Sequence, residues 1–165
     1  MHKKRGVSKR FKVVALGGTF DFLHKGHRAL LDEGFEIGQT VLIGVVSDAL
    51  AHSLGKFPEQ PYNVRFLGVV RYIGDKHSRE RFRLFQLQDH YGPLATDPSV
   101  EAVVVTPDSF DRGMSANLIR AKNGLKPVHV VLVPLVLAED GVRISSTRIR
   151  AREIDTEGRL LGRRT

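Results

Sequence analysis

The run TVLIGVV (residues 40–46) contains no charge and no alternation of apolar with polar residues. A strand of this kind is buried on both faces, as in a parallel sheet covered by helices on each side. FKVVAL (11–16), FRLFQL (82–87), VEAVVV (100–105) and VHVVLVPLVL (128–137) read as further strands, separated by helical patterns. After the first of them, RALLDEGFEIG puts Leu30, Leu31 and Phe35 at helical spacing, with Gly34 and Gly38 near its close. Pro61 suits the first turn of a second helix, PYNVRFLGVVRYIG, in which Val64, Leu67, Val70 and Ile73 read as an apolar stripe. QDHYGPLATDPS is a polar loop, and MSANLIRAKNGL is a short helix closed by Gly124. The turn AEDG (138–141) precedes a final helix capped by Ser145 or Ser146. Strands alternating with helices over 165 residues imply an α/β fold with a mostly parallel sheet of about five strands flanked by helices. Ligands of such sheets collect at the carboxyl ends of the strands. The glycine turn after residue 16, the segment after Val46, the loop after Val105 and ISST (144–147) all belong to that edge.

Composition narrows the chemistry. With no cysteine, disulfides, thiolate metal sites and thiol nucleophiles are excluded. The apolar runs are too short to span a bilayer, and the basic N-terminus is not followed by a signal-peptide core, so a cytoplasmic chain without a membrane partner is expected. The net charge of +8 is concentrated in HKKRGVSKR and RIRAREIDTEGRLLGRR. These segments imply one domain over residues 1–165 with basic extensions at 1–10 and about 158–165. Such extensions either touch nucleic acid or form solvated surface; no RNA-binding aromatic motif is present, which favours the solvated reading.

Two segments have the composition of anion sites. Gly17 and Gly18, directly after a buried strand, permit positive φ and let backbone N–H groups approach a phosphate, or else merely allow a tight turn. His24 and His27 lie three apart with Gly26 between them, so on a helix start they share a face near its positive end, where two imidazole donors meet a phosphate. The rival readings are surface histidines or a metal site; the helical zinc pattern, however, spaces its histidines four apart with a glutamate. ISSTRIR (144–150) offers three hydroxyls and two arginines at a helix start, either for phosphate oxygens or as a serine-capped helix with a basic solvent face.

Taken together, GTFDFLHKGH (18–27) and ISSTRIR resemble the T/HxGH and ISSTxxR signatures of the nucleotidyltransferase superfamily. Within it the chain is similar to the archaeal phosphopantetheine adenylyltransferases, relatives of the adenylyltransferase domain of eukaryotic CoA synthase. The likeness runs through VLIGVVSD, PYNVR, DHYGP, EAVVV, NLIRAKNGL and VLAEDGVRISSTRIR, from about Lys12 to Gly158. The resemblance implies a Rossmann-like fold and the reaction of ATP with 4'-phosphopantetheine to give dephospho-CoA and pyrophosphate. Magnesium would be carried on the ATP phosphates, with no metal site on the protein itself and with CoA as a further ligand. It also implies nucleotide contacts along Gly17, Gly18, Thr19, Phe20, Asp21, His24, Gly26 and His27. His27 would donate to the α-phosphate, His24 would stand at the nucleotide and Thr19 at the reacting phosphate. Ser145, Ser146 and Thr147 would hold the β and γ phosphates, with Arg150 in the signature arginine position and Arg148 assisting. Lys56 would neutralise the pantetheine phosphate, or else be a solvent lysine; Asn117 and Arg120 would contact the nucleotide, or else form an exposed helix face. The TPDSF loop (106–110) matches the family only loosely. The alternatives are a FAD synthetase or a glycerol-3-phosphate cytidylyltransferase of the same fold, or a non-catalytic nucleic-acid-binding module. Intact histidines and a full ISST segment count against the last of these. A monomer is expected.

Overall fold

The computed structural model describes residues 8–162. In chain order the elements are β1 (Phe11–Gly18), α1 (Lys25–Ile37), β2 (Gly38–Val46), α2 (Asp48–Ser53), α3 (Tyr62–Gly74), β3 (Phe82–Leu87), α4 (Pro93–Thr96), β4 (Ala102–Val105), α5 (Phe110–Lys122), β5 (His129–Leu132) and α6 (Ser146–Arg150). The five strands form one all-parallel sheet in the order β3-β2-β1-β4-β5. Connections from β1 run outward in one direction through β2 to β3, and β4 and β5 fill the other side. A crevice therefore opens at the carboxyl ends of β1 and β4, where the strand order reverses.

Strand geometry explains why the apolar runs are unbroken. Side chains alternate between faces, so Val14, Leu16, Val41, Ile43 and Val104 join one core with Leu31 and Phe35 of α1 and with Val69 and Ile73 of α3. Ala15, Leu42, Val103 and Val105 join a second core on the opposite face with Ala116 of α5. A smaller cluster of Ala138, Ile144 and Ile154 supports α6 from below.

The apolar stripe expected on α3 does not form. Val64 and Leu67 are 43% and 47% exposed, and the buried residues are Arg65, Val69 and Ile73. Val64 and Ile73 are nine residues apart, about two and a half turns, so they point to opposite sides of the helix. A strict spacing of three falls about 60° short of a turn at each step and reaches the far side after three steps, whereas the spacing of four among the buried residues overshoots by about 40° and stays on one side over two steps. The last strand is also shorter than expected: β5 is an edge strand whose one neighbour, β4, ends at Val105, and Val133 makes the last donation across the pair, to the Val105 carbonyl at 2.8 Å. Helix α5 begins at Phe110, four residues before the expected start, and α2 and α4 lie in segments read as loop.

Residues 1–7 and 163–165 of the expected basic extensions lie outside the described residues. From Gly158 to Leu161 the chain is bonded to the body of the fold: Glu139 donates to the Gly158 carbonyl at 2.9 Å, and Leu161 donates to the Glu153 carbonyl at 2.9 Å. No helix among the described residues is long and apolar enough to cross a membrane.

Candidate active site

The glycine pair does not supply the turn. Gly17 and Gly18 are still part of β1 and have no positive φ; the left-handed conformations fall on Phe20 (φ 56°) and Phe22 (φ 50°). The glycines are needed for room: a β-carbon on Gly17 would stand 3.2 Å from the Gly44 carbonyl oxygen, and one on Gly18 would stand 3.2 Å from the Phe20 ring. Phe20 is wholly buried, and its ring meets His27 edge-on at 5.4 Å between centroids. It supports the site from the core and, although expected among the nucleotide contacts, is not among the residues that line the cavity. Asp21, also buried, accepts from the backbone N–H groups of Glu59 and Gln60 at 3.0 Å each and pairs with Arg150 at 3.3 Å. Arg65 fixes the same loop from behind. Its guanidinium is buried and donates to the carbonyls of Thr19 (2.6 Å), Val46 (2.8 Å) and Gln60 (3.0 Å) and to the Asp48 carboxylate (2.7 Å).

His24 is the N-cap of α1, not a residue within it. Its Nδ1 accepts from the N–H groups of Gly26 (3.1 Å) and His27 (3.3 Å), while the His24 N–H donates to His27 Nδ1 at 3.2 Å. With both Nδ1 atoms acting as acceptors, the proton of each neutral ring is on Nε2. The rings stack at 3.6 Å between centroids. Burial, and then the charges of Arg28 and Arg143, push the His24 pKa down to about 4; Asp21 opposes them weakly. Burial, then His24, Lys56 and Arg28, hold His27 well below the ordinary histidine range. At neutral pH the pair therefore offers two uncharged Nε2–H donors to the cavity. The capping box also occupies the amide of Gly26, and the Lys25 amide donates to the Thr156 carbonyl at 2.9 Å. The start of α1 thus presents side-chain donors, with these backbone amides already engaged.

The second signature segment meets the first directly. Ser145 caps α6 by accepting from the Arg148 N–H at 3.3 Å. Ser146 Oγ donates to the Asp21 carbonyl at 2.7 Å across 125 residues of sequence. Arg150, besides Asp21, donates to the Phe57 carbonyl (2.8 Å) and to Thr147 Oγ1 (3.3 Å). Both segments line one cavity of about 690 Å³, within the range of small-molecule sites. Gly17, Gly18, Thr19, Asp21, His24 and Gly26 line it from the first segment together with His27; Ser145, Ser146, Thr147 and Arg150 line it from the second; Lys56 joins them from the loop after α2. Thr19 Oγ1 and Arg143 Nε, on residues that line the cavity, are buried without a hydrogen-bond partner.

Besides Phe20, three expected contacts are elsewhere. Arg148 is bonded to Asp140 and Glu153 and is not at the cavity, because one turn of a short helix points alternate arginines to different sides. Asn117 spans the Val128 backbone, donating to its carbonyl at 3.0 Å and accepting from its N–H at 2.8 Å. Arg120 is buried and donates to the carbonyls of Lys126 (2.7 Å), Leu94 (2.8 Å) and Asp97 (2.9 Å). These two residues lie on parts of α5 that join the helix to its neighbours in the fold, away from the crevice.

Conversely, Arg112, Arg143 and His90 line the cavity without having been singled out in the sequence. Arg143 forms a two-pronged pair with Asp108. Its signal was its place directly before ISST, and that of Arg112 was the strand-end loop after Val105, hidden by placing the start of α5 too late. Lys56 is pulled below the ordinary lysine range by burial and then by Arg112 and Arg143, with Asp108 opposing. It makes no ion pair among the described residues. No cluster of three or more metal-ligating side chains occurs among the described residues. The cavity carboxylates of Asp21 and Asp108 are already engaged by arginines.

A family model described as Cytidylyltransferase-like matches residues 15–152. The chain is 41% identical over 157 residues to a phosphopantetheine adenylyltransferase of Methanothermobacter thermautotrophicus, covering 95% of this chain and 94% of that relative. It is 38% identical over 146 residues to a phosphopantetheine adenylyltransferase of Methanopyrus kandleri, covering 88% and 92%. Among solved structures it is similar to a protein of unknown function from Archaeoglobus fulgidus, with a TM-score of 0.65 and 32% identity over 73% of this chain and 87% of the other.

Proposed function

The chain belongs to the cytidylyltransferase-like family, and on that footing we propose that it transfers the adenylyl group of ATP to 4'-phosphopantetheine, giving dephospho-CoA and pyrophosphate. The curated relatives that match most of its length carry the name of this activity. The acceptor arrives with a nucleophile in place, since its phosphate oxygens are ionised at neutral pH. One of those oxygens bonds to the α-phosphorus, and the bond from that phosphorus to the bridging oxygen of the β-phosphate breaks. Pyrophosphate leaves with the bridging oxygen and its electron pair. No side chain has to become a nucleophile or remove a proton. The protein's work is to align two anions and to stabilise the charge that gathers at the α-phosphoryl oxygens.

In this reading the Nε2–H of His27 donates to the α-phosphate, with its ring aimed by the bond between its Nδ1 and the His24 amide. His24 adds a second neutral donor to the nucleotide, and Thr19 uses its unpartnered hydroxyl on the reacting phosphate. Ser146, Thr147 and Arg150 hold the outer phosphates, and Ser145 builds the turn that presents them. Magnesium enters as part of the MgATP substrate, held by the phosphates. The reading places the reaction in the cytoplasm.

The observation that carries it is the Ser146 to Asp21 hydrogen bond, which joins the two phosphate-handling segments at one cavity. The experiment is pyrophosphate release from MgATP with a panel of phosphorylated acceptors. 4'-Phosphopantetheine is expected to be the preferred one. His27→Ala is expected to lower kcat by about a hundredfold to a thousandfold, as loss of a preorganised donor does, without loss of the folded state. Turnover equal to that of the unaltered protein would sink the assignment.

A further inference from the structure

Past α6 the chain folds back on itself in a short hairpin, closed by the antiparallel bridge between Ile154 and Leu160. Its turn is locked from inside. The Asp155 carboxylate accepts from the N–H groups of Glu157 and Arg159 at 2.9 Å each, the Gly158 N–H donates to the Asp155 carbonyl at 3.0 Å, and Gly158 takes φ +81°. An aspartate that binds the backbone two residues on fixes a turn in this way. The hairpin is also anchored to the segment that leads into α6. Ile154 is wholly buried in a cluster with Ala138 and Ile144, while the Glu139 amide donates to the Gly158 carbonyl and the Glu139 carboxylate accepts from the Leu160 N–H, each at 2.9 Å.

The tip of this hairpin reaches the start of α1. The Thr156 carbonyl accepts the Lys25 amide at 2.9 Å, and the Glu157 carboxylate pairs with Arg28. Lys25 is the first residue of α1, between the two histidines of the capping box, and Arg28 follows His27 directly. The amide of a first helical residue has no partner within its own helix, so the bond to Thr156 fixes where the helix starts rather than whether it forms. The Arg28 side chain is only 21% exposed and its charge acts on both histidines, so Glu157 also holds that charge in place. The two signature segments are thus joined at two places, by Ser146 on the Asp21 carbonyl and by the hairpin tip on the first turn of α1. None of Lys25, Arg28, Thr156 and Glu157 lines the cavity.

Resting on the adenylyl-transfer reading, we propose that the hairpin tip is a positioning element for the reaction: Thr156 and Glu157 hold the start of α1 at a fixed offset from α6, so that the His27 donor and the hydroxyls of Ser146 and Thr147 engage one triphosphate together. Preorganised donors lose their advantage when their spacing is free to vary, and a displacement of about 1 Å can cost about a hundredfold in rate. Glu157 is 45% exposed, so its pair with Arg28 adds little to stability. Its effect is on the placement of the histidines.

The test removes each contact of the tip separately. Lys25→Pro deletes the N–H that Thr156 accepts, at a position where proline suits a helix and follows an extended residue without strain. Lys25→Ala keeps that N–H and loses only an exposed side chain, so it is expected to turn over like the unaltered protein. Lys25→Pro is expected to lower kcat for pyrophosphate release by about tenfold and Glu157→Gln by about threefold, with the KM for MgATP and for 4'-phosphopantetheine unchanged. Glu157→Gln is also expected to move the ring nitrogen resonances of His24 and His27 in NMR spectra, although it is far from both in sequence. Asn117→Leu, which loosens the fold away from the crevice, is expected to lower the melting temperature without moving kcat or those resonances. If kcat is unchanged in Lys25→Pro and Glu157→Gln, or falls as far in Lys25→Ala or Asn117→Leu, or if the histidine resonances stay in place in Glu157→Gln, the positioning role is overturned while the proposed function stands. If the unaltered protein releases no pyrophosphate with this acceptor, the function and the inference fall together.

Discussion

Lowering the pH should destabilise the fold through the stacked histidines, and the size of the effect follows from His24. Its folded pKa is about 4 against a reference of 6.5, so between those values the unfolded chain holds a proton that the folded chain refuses. Stability is then fully present above pH 6.5 and is lost as the pH falls toward 4. At about 1.4 kcal/mol per pKa unit, His24 alone removes roughly 3 kcal/mol across that window. His27 acts in the same direction, because its pKa is also lowered by burial. Carboxylates contribute to acid unfolding over an overlapping range, so the measurement is differential. Asparagine also caps helices well and does not titrate in this range, so His24→Asn retains a capping oxygen while deleting the proton site. Urea midpoints of the two proteins should differ little in slope against pH above 7 and diverge between pH 6.5 and 4, with the unaltered protein falling faster. Parallel curves throughout that interval would refute the claim that the pair is held neutral by burial.

The other expectations concern residues whose work is architectural. Arg65→Met should cost roughly 3 kcal/mol by leaving the Thr19, Val46 and Gln60 carbonyls without their donor, read as a lowered urea midpoint with the expressed protein still soluble. Asn117→Leu should lower the melting temperature by removing both bonds to Val128, yet leave the KM for ATP unchanged in the surviving folded fraction; a raised KM would return Asn117 to the nucleotide site. Gly158→Ala should destabilise by about 1–3 kcal/mol, because Gly158 has φ +81° and the added carbon would lie 3.0 Å from the Ala138 Cα. Chemical denaturation at neutral pH measures it directly.

What could be read from the chain alone is the part governed by local rules. An unbroken apolar run has to be covered on both faces, and this made the parallel sheet legible from TVLIGVV. Serine before a helix start made the Ser145 cap legible, because its hydroxyl acts within three residues of itself. The two segments that line the cavity were legible as types of residue in a short span. The helix phase of α3 was not, because alternative apolar spacings differ only in which direction the neighbours lie. Nor could the chain alone separate Arg148, bound to Asp140 and Glu153, from Arg112, which has no carboxylate partner among the described residues. An arginine's role depends on which charge stands across space from it, and carboxylates near in space are often far in sequence. The neutrality of the histidines has the same origin. Their spacing sets the capping box, but only packing by the rest of the chain removes the water that would have let them ionise.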